Sequence, residues 1–378
     1  MKKSNEIMRC NPVVTCVGTD YVIFVPVNTN VLMKLRVGEK YYFNHCNGVR
    51  ISDIRLQKFT VPMAELDRSR SYCVIYSEVI AREAYSCKTG EEFSKEYLFR
   101  PIEKNENLNI YVISDAHGLF KPVVDAASYF HNKPDLLILN GDISSSSDDE
   151  ERVLLQFDIA SAITEGEAPC IITRGNHDLR GEYAEKLGKY LPTRNGKTYY
   201  SVKIGCFWFL ILDCGEDKPD SHREYSDTVC CHEMRMDETE YIHEVINNKE
   251  KEYDSPDILN KIVICHVPFE FNNTSYCKGE HPFDIEHEIF GEWCLLIRSE
   301  IKPDFMICGH MHISEIWRDG KNDDKKIGVP VIIGGVPGKK YGFSDCYTGC
   351  ALTVNRHNAI AVFNDNKGNC FGEADIVF

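Results

Sequence analysis

Nine residues in five short clusters could do chemistry together: Asp115 with His117, Asp142, Asn176 with His177 and Asp178, His266, and His310 with His312. Carboxylates, imidazoles and one carboxamide are the oxygen and nitrogen donors that hold a pair of divalent cations. Such ions sit about 3.5–4 Å apart and need a bridging anion among mixed ligands. A carboxylate can lend one oxygen to both, and Asp142 is the natural bridge. Asp115, His117 and His312 then complete one shell, while Asn176, His266 and His310 complete the other. The amide oxygen of Asn176 is a neutral ligand, which keeps the site cationic enough to attract a phosphate. Cations of this kind acidify water, so the chemistry these residues suit is hydrolysis of a phosphoester.

Each cluster follows a buried strand. Near-continuous apolar runs at residues 110–113, 136–139, 171–172, 207–212, 262–264 and 305–307 read as strands covered on both faces by helices. Asp115, Asp142, Asn176, His266 and His310 each stand just past the end of one such run, and in an open α/β sheet that edge is where sites are built. Glycines 141, 175 and 309 suit tight turns that let the backbone approach closely. Helices are predicted over residues 151–164, 238–248 and 293–300, the second opened by an Asp237 and Glu240 capping box. The polar run 144–151 reads as a solvated loop beside Asp142.

Residues 13–100 have a different texture, with short β-prone runs at 21–25, 31–35, 40–43 and 72–76 spaced as in an antiparallel sandwich. A polar stretch after Pro101 marks the boundary. The expected organisation is an all-β, fibronectin III-like sandwich domain over 1–105 and an α/β catalytic domain over 106–378, consistent with a 378-residue chain having more than one core. A net charge of -15 weighs against a general grip on nucleic acid or anionic membrane. The first residues lack an apolar signal core and no apolar run is long enough to span a bilayer, so a cytoplasmic location is expected. The seventeen cysteines are odd in number and scattered through strand-like runs, as reduced packing thiols are. Cys230-Cys231-His232 and Cys346 with Cys350 lack the paired spacing of a zinc site.

The ordered set Asp-x-His, Gly-Asp, Gly-Asn-His-Asp, a single His after a strand, and Gly-His-x-His resembles the calcineurin-like metallophosphoesterase family over residues 109–365. One motif alone would be weak; all five in order, each after a strand, are specific. The resemblance implies a four-layer α/β fold, with two facing mixed sheets flanked by helices, around a dinuclear centre. It implies in-line attack on phosphorus by a metal-bridging hydroxide. His177 carries over as the family's non-ligand histidine, which stabilises the phosphoryl oxygen and protonates the leaving alkoxide, with Asp178 expected to orient it. The N-terminal strands are reminiscent of purple acid phosphatases. Those enzymes carry a tyrosine three residues after the Gly-Asp aspartate and usually lack the first-motif histidine, whereas this chain has Ser145 and His117 there, which argues against a ferric centre.

Nitrogen and oxygen ligands without thiolate leave manganese, iron, zinc, cobalt or nickel as the two divalent ions, with manganese or iron preferred. The expected substrate is a phosphorylated small molecule or phosphoprotein, attacked as a monoester or small diester, with no membrane partner. Two other functions fit the same fold: a scaffold that has lost turnover, and a nuclease-type phosphodiesterase. Every ligand position is filled, unlike in degenerate members, and no basic, aromatic-laced stripe favours a polymer. Arg174, Arg180, Lys339 and Lys340 read as solvated charge or as phosphate contacts, and residues 334–338 as a turn. Phe269, Phe271, Tyr276, His281 and His287 belong to a loop that could face the cleft.

Overall fold

The computed structural model describes residues 4–103, 107–269, 286–318, 327–338 and 345–378. A short helix α1 (Ser4–Ile7) precedes β1 (Val13–Val17), β2 (Asp20–Pro26), β3 (Val31–Val37), β4 (Lys40–Phe43), the small hairpin β5 (His45–Cys46) and β6 (Val49–Arg50), and β7 (Leu56–Pro62). Helix α2 (Met63–Ser69) leads into the long hairpin β8 (Ser71–Arg82) and β9 (Cys87–Leu98). Then follow β10 (Leu108–Ile113), α3 (Lys121–Ala126), β11 (Leu136–Asn140), α4 (Glu150–Thr164), β12 (Pro169–Thr173), β13 (Tyr200–Ile204) and β14 (Phe207–Leu212). The chain continues through α5 (Cys231–Asn247), α6 (Lys249–Glu252), β15 (Asn260–Cys265), α7 (His287–Leu296), β16 (Phe305–Cys308), β17 (Glu315–Trp317) and β18 (Val331–Ile333). It closes with β19 (Val336–Pro337), β20 (Tyr347–Val354), β21 (Asn358–Asp365) and β22 (Cys370–Val377).

Two large mixed sheets face one another. One runs β22-β21-β20-β10-β11-β12-β1-β2-β7 with β19 on β20, and the other runs β13-β14-β15-β16-β18-β17. One core is shared by the inner faces of both sheets: Ile110, Val112, Leu136 and Ile138 belong to it with Phe209, Ile211, Ile262, Ile264 and Ile307. The alternate residues Leu210, Leu212, Val263 and Met306 turn outward and join Ile242 of α5 and Phe290 and Trp293 of α7 in a second core. On the far side Leu154, Phe157 and Ala160 of α4 cover the first sheet. The result is the helix, sheet, sheet, helix order expected, and buried parallel strands such as β11 and β12 explain why those runs carry no polar alternation.

The N-terminal region is strand-rich as expected, but its strands cross the boundary expected at 105/106. β1 lies parallel to β12, with Val14 opposite Pro169 and Thr15 opposite Cys170, so β1, β2 and β7 prolong the catalytic sheet. Strands β3, β4, β8 and β9 form a separate four-stranded sheet beside the β5–β6 pair, and its buried side, Val31, Met33, Leu35, Val74 and Tyr76, belongs to the same core. The reason is legible in burial: β1 is covered throughout, whereas β3 alternates between buried and partly exposed residues as a one-sided strand does.

Helix α4 begins one residue before its expected start, with Asp149 accepting from the Arg152 N–H at 2.9 Å. Helix α5 starts well before Asp237, so the apparent capping box lies within the helix, and Asp220 Oδ2 accepts from the His232 N–H at 3.0 Å instead. The third helix also begins early, at His287. Among the described residues Cys16, Cys73, Cys170, Cys265 and Cys350 are buried free thiols, and no helix is long and apolar enough to cross a membrane.

Phe157 of α4 and Phe24 of β2 pack with ring centroids 5.0 Å apart, tying the N-terminal strands to the catalytic layer. Phe157→Ala should cost about 3–5 kcal/mol and leave one cooperative urea transition. A separate early step reporting only the N-terminal strands would refute a shared core.

Candidate metal centre

All seven expected ligands converge at the seam where the sheets' strand ends meet. The first sheet supplies Asp115 and His117 after β10, Asp142 after β11 and Asn176 after β12; the second supplies His266 after β15, and His310 and His312 after β16. Donor atoms of Asp115, His117 and His312 lie within 4.8 Å of one another, as do those of Asp142, His266 and His310, and of His117, Asp142 and His177. Asp115 Oδ1 is 3.3 Å from His312 Nε2, 3.8 Å from His266 Nε2 and 4.0 Å from His117 Nε2. Asp142 Oδ2 is 3.2 Å from His266 Nε2.

Hydrogen bonds dictate which atom of each ligand stays free. Asp115 Oδ2 accepts from Ser114 Oγ at 2.7 Å and from the His310 N–H at 2.8 Å, leaving Oδ1. Asp142 Oδ1 accepts from the His177 N–H at 2.9 Å, leaving Oδ2. His266 Nδ1 donates to the Asn140 carbonyl at 2.6 Å, leaving Nε2. Asp115 Oδ1 and His266 Nε2 are buried and lack any hydrogen-bond partner, a costly state for polar atoms unless a cation completes it.

The Asn176 carboxamide carries the same message. Turned one way, its NH2 donates to Asp142 Oδ2 at 3.2 Å and to His310 Nδ1 at 3.1 Å, and its oxygen accepts from Arg180 at 3.1 Å. Turned the other way, its oxygen faces those two lone-pair donors, an arrangement that a cation reconciles. The residues therefore fit divalent ions. The electrostatics agree: burial would lower the His266 pKa, but Asp142 and Asp115 push it up to about 10. Burial and the neighbouring His266 push His310 down to about 4. Burial opposes ionisation of Asp142, yet His266 and its neighbours hold it below the usual carboxylate range.

The backbone is bent to make this cluster. Asp115, His117, Asp142, His310 and His312 all adopt left-handed φ values of 53, 45, 53, 66 and 52°. Each such residue costs of order 1–3 kcal/mol and persists only where its surroundings over-determine it. Gly141 and Gly175 touch: a Cβ on Gly141 would lie 2.6 Å from Gly175 Cα and from His266 Nδ1. A Cβ on Gly175 would collide with the Asp142 carboxylate, and one on Gly309 with Ser114 Oγ.

His177 stands at the mouth, its side chain 32% exposed, with Nε2 4.0 Å from Asp142 Oδ2. Its Nδ1 is held by the Ser145 carbonyl at 2.9 Å, not by Asp178. Asp178 Oδ2 instead accepts from the Gly175 N–H at 2.7 Å and the Asp142 N–H at 3.3 Å, so the orienting role expected for it is corrected to clamping two ligand loops. Two adjacent turns present those amides to a carboxylate, which spacing along the chain does not reveal. Burial, then the Asp142 charge, pushes Asp178 up to about 7.

Arg174 and Arg180 are neither solvated nor free. Arg174 pairs with buried Asp213 at 2.7 Å, and Arg180 grips Glu216 through two bonds of 2.7 Å and Asp217 at 3.2 Å. Lys339, Lys340, Phe271, Tyr276 and His281 lie outside the described residues. Phe269 packs against Trp293, centroids 5.3 Å apart, as core. Sequence reasoning missed Ser114 and Asn140, although both adjoin a motif, and Tyr347 and Asp217, which no local signal marks. Asn140 is a tether between sheets: beside its bond to His266, its side chain donates to the Cys265 carbonyl at 3.4 Å and accepts from Thr173 at 2.8 Å.

A family model described as calcineurin-like phosphoesterase matches residues 108–314. Among solved structures, purple acid phosphatase PPD1 from yellow lupin (Lupinus luteus) seeds is similar at 13% identity and a TM-score of 0.63, over 97% of this chain and 74% of that one. A structure of PhoD is similar at 12% identity and a TM-score of 0.52, over 100% of this chain and 90% of the other. At these identities the likeness is one of fold. No curated protein matches by sequence.

If Asp178 acts by accepting two amide protons, Asp178→Asn should bind metal nearly as well as the parent, since a carboxamide oxygen can accept both. Asp178→Ala should lose affinity by about 10–100-fold. Calorimetric titration with Mn2+ distinguishes them, and equal losses would return the carboxylate to a direct role.

Proposed function

The chain belongs to the calcineurin-like phosphoesterase family, and on that footing we propose that it hydrolyses a phosphomonoester or small phosphodiester with two divalent ions. Asp142 would be shared between the ions, with Asp115, His117 and His312 holding one and Asn176, His266 and His310 the other. The observation that carries this reading is the pair of buried, unpartnered atoms Asp115 Oδ1 and His266 Nε2, aimed at each other across 3.8 Å. Metal binding would displace the proton that the two carboxylates favour on His266, leaving Nε2 and the carboxylate oxygens as lone pairs for a cation.

Bound ions would supply positive charge for the phosphoryl oxygens and a source of hydroxide near neutral pH. The chain's own residues do the rest. With Asp142 Oδ1 committed to the His177 N–H, Oδ2 is the oxygen left to be shared. With Nδ1 of His177 committed to the Ser145 carbonyl, Nε2 is the nitrogen that faces the centre and can hand a proton to the leaving alkoxide. The ligand donors include no sulfur, which supports manganese or iron over softer choices. The reduced cysteines support a reducing compartment such as the cytoplasm. Phosphorylated small molecules and phosphoproteins are the substrate classes this reading admits.

Purified protein should turn over a chromogenic monoester or diester in the presence of Mn2+ or Fe2+. His177→Ala should lower kcat by about 10²–10⁴ on substrates with poor leaving groups, with metal stoichiometry unchanged and a smaller loss on nitrophenyl esters. Bound metal without turnover of either ester class would favour the scaffold alternative.

A further inference from the structure

The strand that delivers Asp115 loses its regular partner just where the site begins. β10 pairs with β20 as far as Val112 opposite Cys350, and the ladder stops before Ser114. At Ser114 a side chain substitutes for the missing strand. The Tyr347 hydroxyl accepts from the Ser114 N–H at 3.1 Å and donates to the carbonyl of the same residue at 2.7 Å. Both residues are fully buried. Glycines enclose Ser114: a Cβ on Gly309 would collide with its hydroxyl, and one on Gly335 with its carbonyl.

The Ser114 hydroxyl has one proton and two acceptors within reach, Asp115 Oδ2 at 2.7 Å and the Gly334 carbonyl at 3.2 Å. The two oxygens of a carboxylate are equivalent until donors distinguish them. Ser114 Oγ and the His310 N–H both settle on Oδ2, which is why Oδ1 alone is left bare. Asp115 meanwhile holds a strained φ of 53° that its own preferences would relax.

We propose that Tyr347, acting through Ser114, is a positioning residue for the metal centre: it locks the strand end so that Asp115 presents Oδ1, and only Oδ1, to the ion shared with His117 and His312. This rests on the ligand set proposed above. Because Ser114 bonds Asp115 directly and reaches His310 only through the amide that shares Asp115 Oδ2, the loss falls chiefly on that ion and less on the one held by Asn176, His266 and His310.

The test uses the full chain, Mn2+ titration by calorimetry, and electron paramagnetic resonance of the loaded protein. Tyr347→Phe keeps the ring and removes both bonds; Ser114→Ala keeps the backbone bonds to Tyr347 and removes the hydroxyl's contacts with Asp115 Oδ2 and the Gly334 carbonyl. Tyr111→Phe is the control, since its fully buried hydroxyl sits on the same strand and bonds Asn364 Oδ1 at 3.1 Å without leading to the site. The parent and Tyr111→Phe should bind two ions with an exchange-coupled signal. Tyr347→Phe and Ser114→Ala should change the affinity for one ion by less than about 3-fold and weaken the other by about 10–100-fold, replacing the coupled signal by that of an isolated ion at intermediate Mn2+. Unchanged affinity for both ions in Tyr347→Phe, or equal losses in Tyr347→Phe and Tyr111→Phe, would overturn the proposal. Should Tyr347→Phe not fold, a Ser114→Ala protein that binds both ions normally would overturn it equally. A parent that binds no Mn2+ would overturn the ligand set first, and the proposal with it.

Discussion

Two carboxylates, Asp115 and Asp142, are almost wholly removed from water at the place where two sheets meet. An uncompensated carboxylate in such surroundings is costly enough to unfold a domain, so the rest of the site is organised to make those two charges tolerable. Half of the compensation is built from the protein itself, through the His310 and His177 amides and the Ser114 hydroxyl. The other half is left unmade on the remaining oxygens. That asymmetry is the functional property: a surface fully satisfied by its own hydrogen bonds would have no appetite for cations.

The division of labour follows from the layers. The first sheet contributes the anionic groups and the carboxamide, the second the imidazoles after β15 and β16, and the contacts that hold the halves in register are few and specific. Asn140 reaches from β11 to both His266 and the carbonyl before it, while Asp115 catches the His310 amide. Five left-handed residues of the cluster show what this convergence costs, and glycines at 141, 175 and 309 allow it by bringing main chain to within contact of carboxylate and imidazole. The N-terminal strands are not bystanders, since β1 covers the edge of β12 from which Asn176 departs.

Where expectation and structure part, the reason is spatial proximity without sequence proximity. Asp178 adjoins His177 in the chain, yet a turn carries its carboxylate to the amides of Gly175 and Asp142. Arg180 looked like surface charge because its partners Glu216 and Asp217 come from a loop beyond β14. The capping box at Asp237 is genuine as a pattern, but Asp220, from outside the helix, satisfies an N–H of the first turn of α5 earlier in the chain. The N-terminal boundary misled because composition changes at residue 105 while the hydrogen-bonded sheet does not.

By itself the sequence determined the types of the candidate ligands, their order and their attachment to buried strand ends, since apolar runs must bury and polar residues at their ends must gather at one edge. Family membership and the four-layer order were within its reach for the same reason. Tertiary structure alone decided which oxygen of each carboxylate stays bare, which nitrogen of His177 faces the centre, and that Tyr347 closes the strand at Ser114. Those choices depend on hydrogen-bond directions between segments from 32 to 233 residues apart, and no local pattern encodes a direction.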